Sequence, residues 1–336
     1  MLDLLTDIAG VRVGAAGDAE LGSGVSVVIF ETPAVASVAV LGGAPGEREI
    51  ALLAPEMTVE RIDAIVLSGG SAFGLDAAGG VQEALLAQGR GFPVGARRVP
   101  IVPAAILFDL AHLPEGVIPP YRAWGREAAE TAAPGHFPLG TVGAGTGATT
   151  ALVKGGLGSA SARTADGIGI AALMAVNALG SPLIGTGPHF WAAPFEVGDE
   201  FGGLGWPVPF PRPLPPAPLK GATPATTLGV VVTDAALTKA EAKRLALMAH
   251  DGLARALVPA HAPLDGDTIF AAATGAIALP ASLPERNLAL TRLGEAAAQV
   301  VARAIARGVF AATPLPRPGL PPTYRERFGA LLSAPR

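Results

Sequence analysis

The chain has 336 residues, half of them hydrophobic but only 5% aromatic, and a formal net charge of -4. Charged residues make up 15%, against roughly 25% in an ordinary soluble domain, which points to surface covered by further copies of the chain. The acidic balance excludes nucleic acid as a partner, because phosphate contacts need clustered Lys and Arg and Arg97-Arg98 is too short a run.

The absence of Cys removes disulfides, zinc–thiolate sites and cysteine nucleophiles together. The five histidines, at 112, 136, 189, 250 and 261, show no metal-binding spacing, so no metal is expected. The start, Met1 to Asp7, carries acids where a secretory signal carries Lys or Arg. No apolar run reaches the ~18 residues of a membrane span, so a cytoplasmic chain without membrane contact is expected.

In chain order, residues 25–30 and 35–41 are β-branched runs, and Glu31-Thr32-Pro33-Ala34 between them predicts a hairpin. Residues 64–68 read as a strand running into Gly69-Gly70-Ser71-Ala72-Phe73-Gly74, a glycine turn that opens a helix over 75–88. Phe73 stands where a serine-hydrolase elbow needs Gly, so Ser71 is read as a turn residue near the helix cap. Residues 100–110 predict a loop followed by a strand, because Pro100 and Pro103 bracket the start. Residues 168–179 form an apolar stretch containing Asn177, and a buried amide costs ~1–3 kcal/mol unless it is hydrogen-bonded.

Residues 180–223 lack periodicity and hold seven prolines between 207 and 218, which predicts an exposed connector, with 207–224 its Pro-rich part. A strand then restarts at 228–232. Residues 238–257 predict an amphipathic helix capped by Thr238, 268–274 a strand and 285–310 a long Ala-rich helix. Strands with interleaved helices indicate a layered α/β protein. His250-Asp251 on the 238–257 helix reads as a polar pair near a helix end, with a triad fragment as the rival reading.

Several positions carry candidate chemistry. Thr226 follows the connector and opens a strand, so it is either an ordinary strand residue or a nucleophile freed by a cut after Ala225. In the second reading the new amine, with a pKa near ~8, would be the base that its own hydroxyl lacks. Asp265-Gly266-Asp267 is either a turn or an acidic pair serving that site. Lys154 is either a solvated charge or a positioned cation. Gly143-Ala144-Gly145-Thr146-Gly147-Ala148 matches a relaxed dinucleotide fingerprint with Asp166 as the distal acid, but Lys154 to Gly158 would break the required helix. A glycine-lined wall that lets substrate approach the backbone is the preferred reading there, and no cofactor is expected.

These segments together resemble the P1 (S58) peptidase family of L-aminopeptidase/D-esterases, β-aminopeptidases and 6-aminohexanoate-oligomer hydrolases. The resemblance lies in Ser68-Gly-Gly-Ser-Ala-Phe-Gly-Leu-Asp-Ala-Ala78, Pro100-Ile-Val-Pro-Ala-Ala-Ile-Leu-Phe-Asp-Leu110 and Val142-Gly-Ala-Gly-Thr-Gly-Ala148 with Lys154-Gly-Gly-Leu-Gly158. It continues through Val176-Asn-Ala178, Thr226-Thr-Leu-Gly-Val-Val-Val-Thr-Asp234, Ala249-His-Asp-Gly-Leu-Ala-Arg255 and Asp265-Gly-Asp267.

The resemblance implies a four-layer α-β-β-α sandwich akin to the N-terminal-nucleophile hydrolases, in one domain cut into an α chain (1–225) and a β chain (226–336). It also implies a homo-oligomer, such as a tetramer of α/β pairs, acting on a small peptide or amide substrate. Carried over by position, Thr226 is the nucleophile, Asn177 helps hold the oxyanion, Asp265 and Asp267 orient the nucleophile and its amine, and Lys154 matches a lysine of the Thr-type branch. Ala225 stands where relatives commonly have Gly or Asn. Phe108 stands where some have a Tyr near the oxyanion. Rival readings are an acyltransferase of the ornithine acetyltransferase type and a non-catalytic nucleotide-binding protein.

Overall fold

The computed structural model describes residues 1–113, 116–317 and 319–332. Its organising element is one long strand, β2 (Ser23–Val40). The first half of β2 pairs antiparallel with β1 (Val11–Asp18) and β4 (Arg61–Ser68), and β4 is flanked in turn by the short β7 (Ala104–Ile106) and β3 (Glu47–Arg48). The second half pairs with β11 (Thr268–Ile277), after which come β10 (Thr226–Ala235), β9 (Gly169–Asn177) and β8 (Gly156–Arg163). β10–β11 and β4–β7 are parallel; the other ladders are antiparallel. A separate exposed ribbon joins β5 (Phe92–Val94) to β6 (Arg97–Val99).

The predicted hairpin at 31–34 is therefore not a hairpin. Glu31, Thr32 and Pro33 stay extended and exposed while β2 passes from one half of a continuous sheet to the other, the two halves forming the two β layers, and the β2–β4 register shifts between Ile29 and Ala34. Pro33 lies at this irregularity, where its missing N–H costs no ladder bond.

Side-chain alternation along the strands gives each β layer two apolar faces, and three cores result. Val28, Phe30, Ile65 and Leu67 from one layer meet Leu173, Leu228, Val230 and Phe270 from the other. Val25, Val27, Ala64 and Val66 face outward onto α1 (Ala77–Ala87) and α2 (Tyr121–Thr131). Ile170, Val176, Val231 and Ile269 face α3 (Lys239–Ala256) and α4 (Leu283–Phe310). Three cores between four layers make the α-β-β-α sandwich. Each fully buried Val, Leu, Ile or Phe contributes about 1.5–3 kcal/mol, so the middle layers are rigid ground for a site.

The helix predicted over 238–257 is present and is closed at its start by a reciprocal cap. Thr238 Oγ1 accepts from the Glu241 N–H (3.2 Å), while Glu241 Oε2 accepts from the Thr238 N–H (2.8 Å). The loop followed by a strand expected over 100–110 is present, with the strand confined to 104–106. One other expectation needs correction. The 180–223 stretch is not exposed throughout, because Leu183, Phe190 and Phe201 are buried and Phe190 stacks on Tyr324 of α5 (Tyr324–Leu332). An aromatic cluster, which periodicity does not reveal, anchors it.

Candidate active site

β10 begins at Thr226, and this residue pairs across the ladder with Asn177, the last residue of β9. Because β10 runs parallel to β11, the turn entering β11 lies beside the residues entering β10. That turn clamps residues 225–227. The Ala225 N–H donates to Leu264 O (3.0 Å), the Gly266 N–H to Ala225 O (2.9 Å) and the Thr227 N–H to Asp267 Oδ1 (2.8 Å). Thr226, Asn177, Asp265 and Asp267 thus meet at the ends of three adjacent strands.

Thr226 is 4% exposed, and its hydroxyl donates to the Ala225 carbonyl oxygen at 2.5 Å. Gly266 lies directly against it. A Cβ at 266 would sit 2.7 Å from Thr226 Oγ1 and 2.7 Å from Ala44 O, so the position requires glycine.

Both carboxylates act on the frame around Thr226. Asp267 accepts from the Thr227 N–H on Oδ1, and its Oδ2 meets the His261 N–H and ring Nδ1, each at 2.9 Å. Asp265 accepts from the Leu179 N–H (3.1 Å) and the Ala262 N–H (3.2 Å). Burial, helped by the Asp267 charge, pushes the Asp265 carboxyl up to about 6.

Asn177 is fully buried and satisfied. Its Oδ1 accepts from the Thr149 N–H (3.0 Å) and Lys220 Nζ (2.7 Å), and its Nδ2 donates to Phe108 O (2.9 Å). Phe108 therefore contributes its backbone carbonyl here, since a phenyl ring has no hydroxyl to offer.

Lys154 is not a solvated charge. It is 1% exposed, and Nζ donates to the carbonyls of Gly145 (3.1 Å), Ala148 (3.0 Å) and Gly155 (3.4 Å). Burial pushes its ammonium down to about 7 against the opposing pull of Asp109. These bonds brace the loop whose Thr149 N–H reaches Asn177; they do not join Lys154 to the Thr226 hydroxyl.

The glycine-dense segment is not an open wall for substrate. Residues 143–148 are buried, and a Cβ on Gly145 would meet Leu157 N at 2.1 Å, so the glycine serves close packing inside the protein. Nor is it a dinucleotide site: Gly143–Gly145 is a single 3-10 turn, the next regular element is strand β8, and Asp166 pairs with Arg292 at the surface (2.9 Å). His250 bonds Ala39 O (3.0 Å) from within α3 while Asp251 is exposed, so the two are neither a triad fragment nor a helix-end pair. Among the described residues no cluster of His, Asp and Glu could hold a metal.

Three neighbours were not singled out from sequence. Lys220, in the connector, reaches Asn177 Oδ1 and also Thr149 O (3.1 Å). His261 pairs with Asp267. Asp109, next to Phe108, accepts from Ser23 Oγ (2.7 Å) and the Gly70 N–H (2.8 Å), and burial pushes it up to about 6. An acid embedded in the apolar 100–110 run was the available signal for Asp109. Lys220 and His261 lie in irregular chain and gave none.

The solved structure of an L-aminopeptidase D-Ala-esterase/amidase from Ochrobactrum anthropi superposes with a TM-score of 0.70 at 21% identity, over 98% of this chain and 93% of that one. A Burkholderia sp. β-aminopeptidase gives a TM-score of 0.69 at 23% identity, over 100% and 96%. The fold is thus of the N-terminal-nucleophile hydrolase type.

The chain belongs to peptidase family S58, whose profile matches residues 3–319. It is 41% identical to an uncharacterized aminopeptidase of Mycobacterium tuberculosis over 97% of this chain and 98% of that protein. A 6-aminohexanoate-oligomer endohydrolase of a Kocuria species is 31% identical over 88% of this chain and 82% of that protein. The chain is accordingly a hydrolase of peptide or amide bonds. No helix of the described residues is long and apolar enough to cross a membrane.

Proposed function

We propose that the chain cuts itself between Ala225 and Thr226 and then hydrolyses small amides with the freed Thr226. The observation that carries this reading is the contact of the Thr226 hydroxyl with the carbonyl of the bond to be broken, while the Gly266 N–H draws on that same carbonyl oxygen. In the uncut chain Thr226 Oγ1 attacks the Ala225 carbonyl carbon. The C–N bond breaks, the nitrogen takes a proton, and the ester formed is hydrolysed by water, leaving Ala225 as a carboxylate and Thr226 with a free amine.

Mature Thr226 then attacks a substrate amide, its own amine takes the hydroxyl proton and passes it to the leaving amine, and water cleaves the acyl ester so formed, releasing the acid and restoring the Thr226 hydroxyl. The oxyanion is held by backbone N–H groups and Asn177, each such donor being worth about 3 kcal/mol. Asp267 and Asp265 hold the 225–227 and 262–267 segments in place, and Lys154 braces the loop behind Asn177. The products are an α chain (1–225) and a β chain (226–336) folded as one domain. Such pairs form a cytoplasmic homo-oligomer, consistent with the 15% charge content and with exposed Phe73, Phe92, Val94 and Ile118. The substrates are small peptides, amino-acid amides or oligomers of β- or ω-amino acids, as the names of the relatives suggest.

Denaturing mass spectrometry of wild type, Thr226→Ala and Thr226→Ser tests this. Wild type and Thr226→Ser should show two chains meeting at 225/226, and Thr226→Ala one inactive chain. Two fragments with the same junction from Thr226→Ala would refute the nucleophile.

A further inference from the structure

The connector brings a cation of its own to the site. Lys220 lies five residues before Ala225, and its backbone is tied to the site's edge by the bond from its N–H to Leu179 O (2.9 Å). Its residue surface is partly exposed, yet Nζ points inward and donates to Asn177 Oδ1 (2.7 Å) and Thr149 O (3.1 Å), both on buried residues. Asn177 is the ladder partner of Thr226, so a primary ammonium on a flexible four-carbon chain is already held beside the nucleophile.

The acceptors that hold Nζ are what a substrate's free amine would need. Oδ1 of Asn177 and the Thr149 carbonyl give two oxygens converging on one nitrogen, and the carboxylates of Asp265 and Asp109 are the nearby charges that favour a cation there. Asn177 Oδ1 keeps the Thr149 N–H when Lys220 leaves, whereas the buried Thr149 carbonyl takes its hydrogen bond from Nζ and calls for another donor in its place. Lys220 is moreover on the segment that scission would free at one end, and residues 221, 222 and 224 of that segment are exposed. A cation that fills the site and stays tethered beside it after scission, its backbone bonded to Leu179 O, behaves as a tethered competitor. Burial pushes its ammonium down to about 8, against the pull of Asp265, so it remains mainly protonated at neutral pH.

We propose that Lys220 is an internal occupant of the substrate-amine subsite formed by Asn177 Oδ1 and Thr149 O, and that this subsite takes the primary ammonium of an amine-bearing acyl chain. The proposal rests on the reading of Thr226 as nucleophile and adds to it an occupant of the site that the chain itself supplies. A tethered group at millimolar effective concentration fills such a site without any affinity of its own being high.

The test separates binding from turnover. n-Butylamine, which reproduces the lysine side chain, is titrated calorimetrically into the uncut Thr226→Ala chain and into the Thr226→Ala/Lys220→Met double variant. If Lys220 fills the subsite about nine-tenths of the time, butylamine binds the double variant about tenfold more tightly. Equal affinity for the two, or binding to neither, would overturn the assignment. In the active background, Lys220→Met should lower KM about tenfold for β-alanyl and 6-aminohexanoyl p-nitroanilides and leave KM for their N-acetylated counterparts where it was. An unchanged or raised KM for the free-amine substrates overturns the proposal. So does a Lys220→Met chain that stays whole while wild type splits, because Lys220 would then serve scission. Failure of the nucleophile reading is a separate result, since it appears as splitting or turnover in Thr226→Ala, whereas the calorimetric pair differs only at residue 220 and reads the occupant whether or not the backbone is cut.

Discussion

Replacing Gly266 with Ala adds one methyl group at a crowded point of the site. The new Cβ would stand 2.7 Å from Thr226 Oγ1, 2.7 Å from Ala44 O and 3.2 Å from Pro45 Cα. An ordinary contact begins near 3.4 Å, so about 0.7 Å of movement is needed at each oxygen. The Gly266 N–H that bonds Ala225 O is retained, and the change therefore acts by displacement and not by loss of a donor. A misplacement of about 1 Å costs roughly a hundredfold in rate, so a shift of this size predicts scission and turnover slowed about 10- to 100-fold. The assay follows the ratio of whole to split chain on a denaturing gel after synthesis, and initial rates on a β-alanyl p-nitroanilide. Gly266→Ala that splits and turns over at the wild-type rate would show that the Gly266–Thr226 contact is not part of the reacting geometry.

Asp267→Ala strands the Thr227 N–H and His261, two partners of one carboxylate; losing hydrogen bonds to a charged group costs about 1.5–3 kcal/mol, so the urea midpoint should fall and scission should fail. A variant that matches wild type in both measurements would remove Asp267 from the frame. Lys154 has a folded value near 7, below its usual 10.5, so its ammonium is penalised in the folded chain. Its stabilising share is present above pH 10.5 and is lost as pH falls through the window down to about 7. Urea titrations of wild type at pH 7 and pH 10 should show that loss, and Lys154→Met should flatten part of the slope; identical slopes would contradict the burial of the charge.

The layered α/β class and most elements were legible from periodicity, because strand alternation and the 238–257 helix face are local patterns. The 31–34 turn was misread for a physical reason: turn residues at the joint of two β layers look like turn residues in a hairpin, and only the partners of β2 tell them apart. At the site, Thr226, Asn177, Asp265 and Asp267 could be named because the family resemblance quotes them. Their convergence depends on β9, β10 and β11 lying side by side, which the order of segments does not reveal. Lys220 was hidden for the opposite reason. Proline-rich chain reads as solvent-exposed linker, and only its contacts show a side chain turned inward.

The strand arrangement also governs what a nick after residue 225 can do to the molecule. β10 and β11 are neighbours held between β9 on one flank and β2 on the other, and both flanking strands lie upstream of the nick. The downstream piece is therefore wedged into the middle of a sheet it does not complete by itself. Severing the backbone cannot shed that piece without opening two ladders and two apolar cores at once. Either piece made alone would carry unpaired strand edges, so residues 1–225 and 226–336 have to fold together.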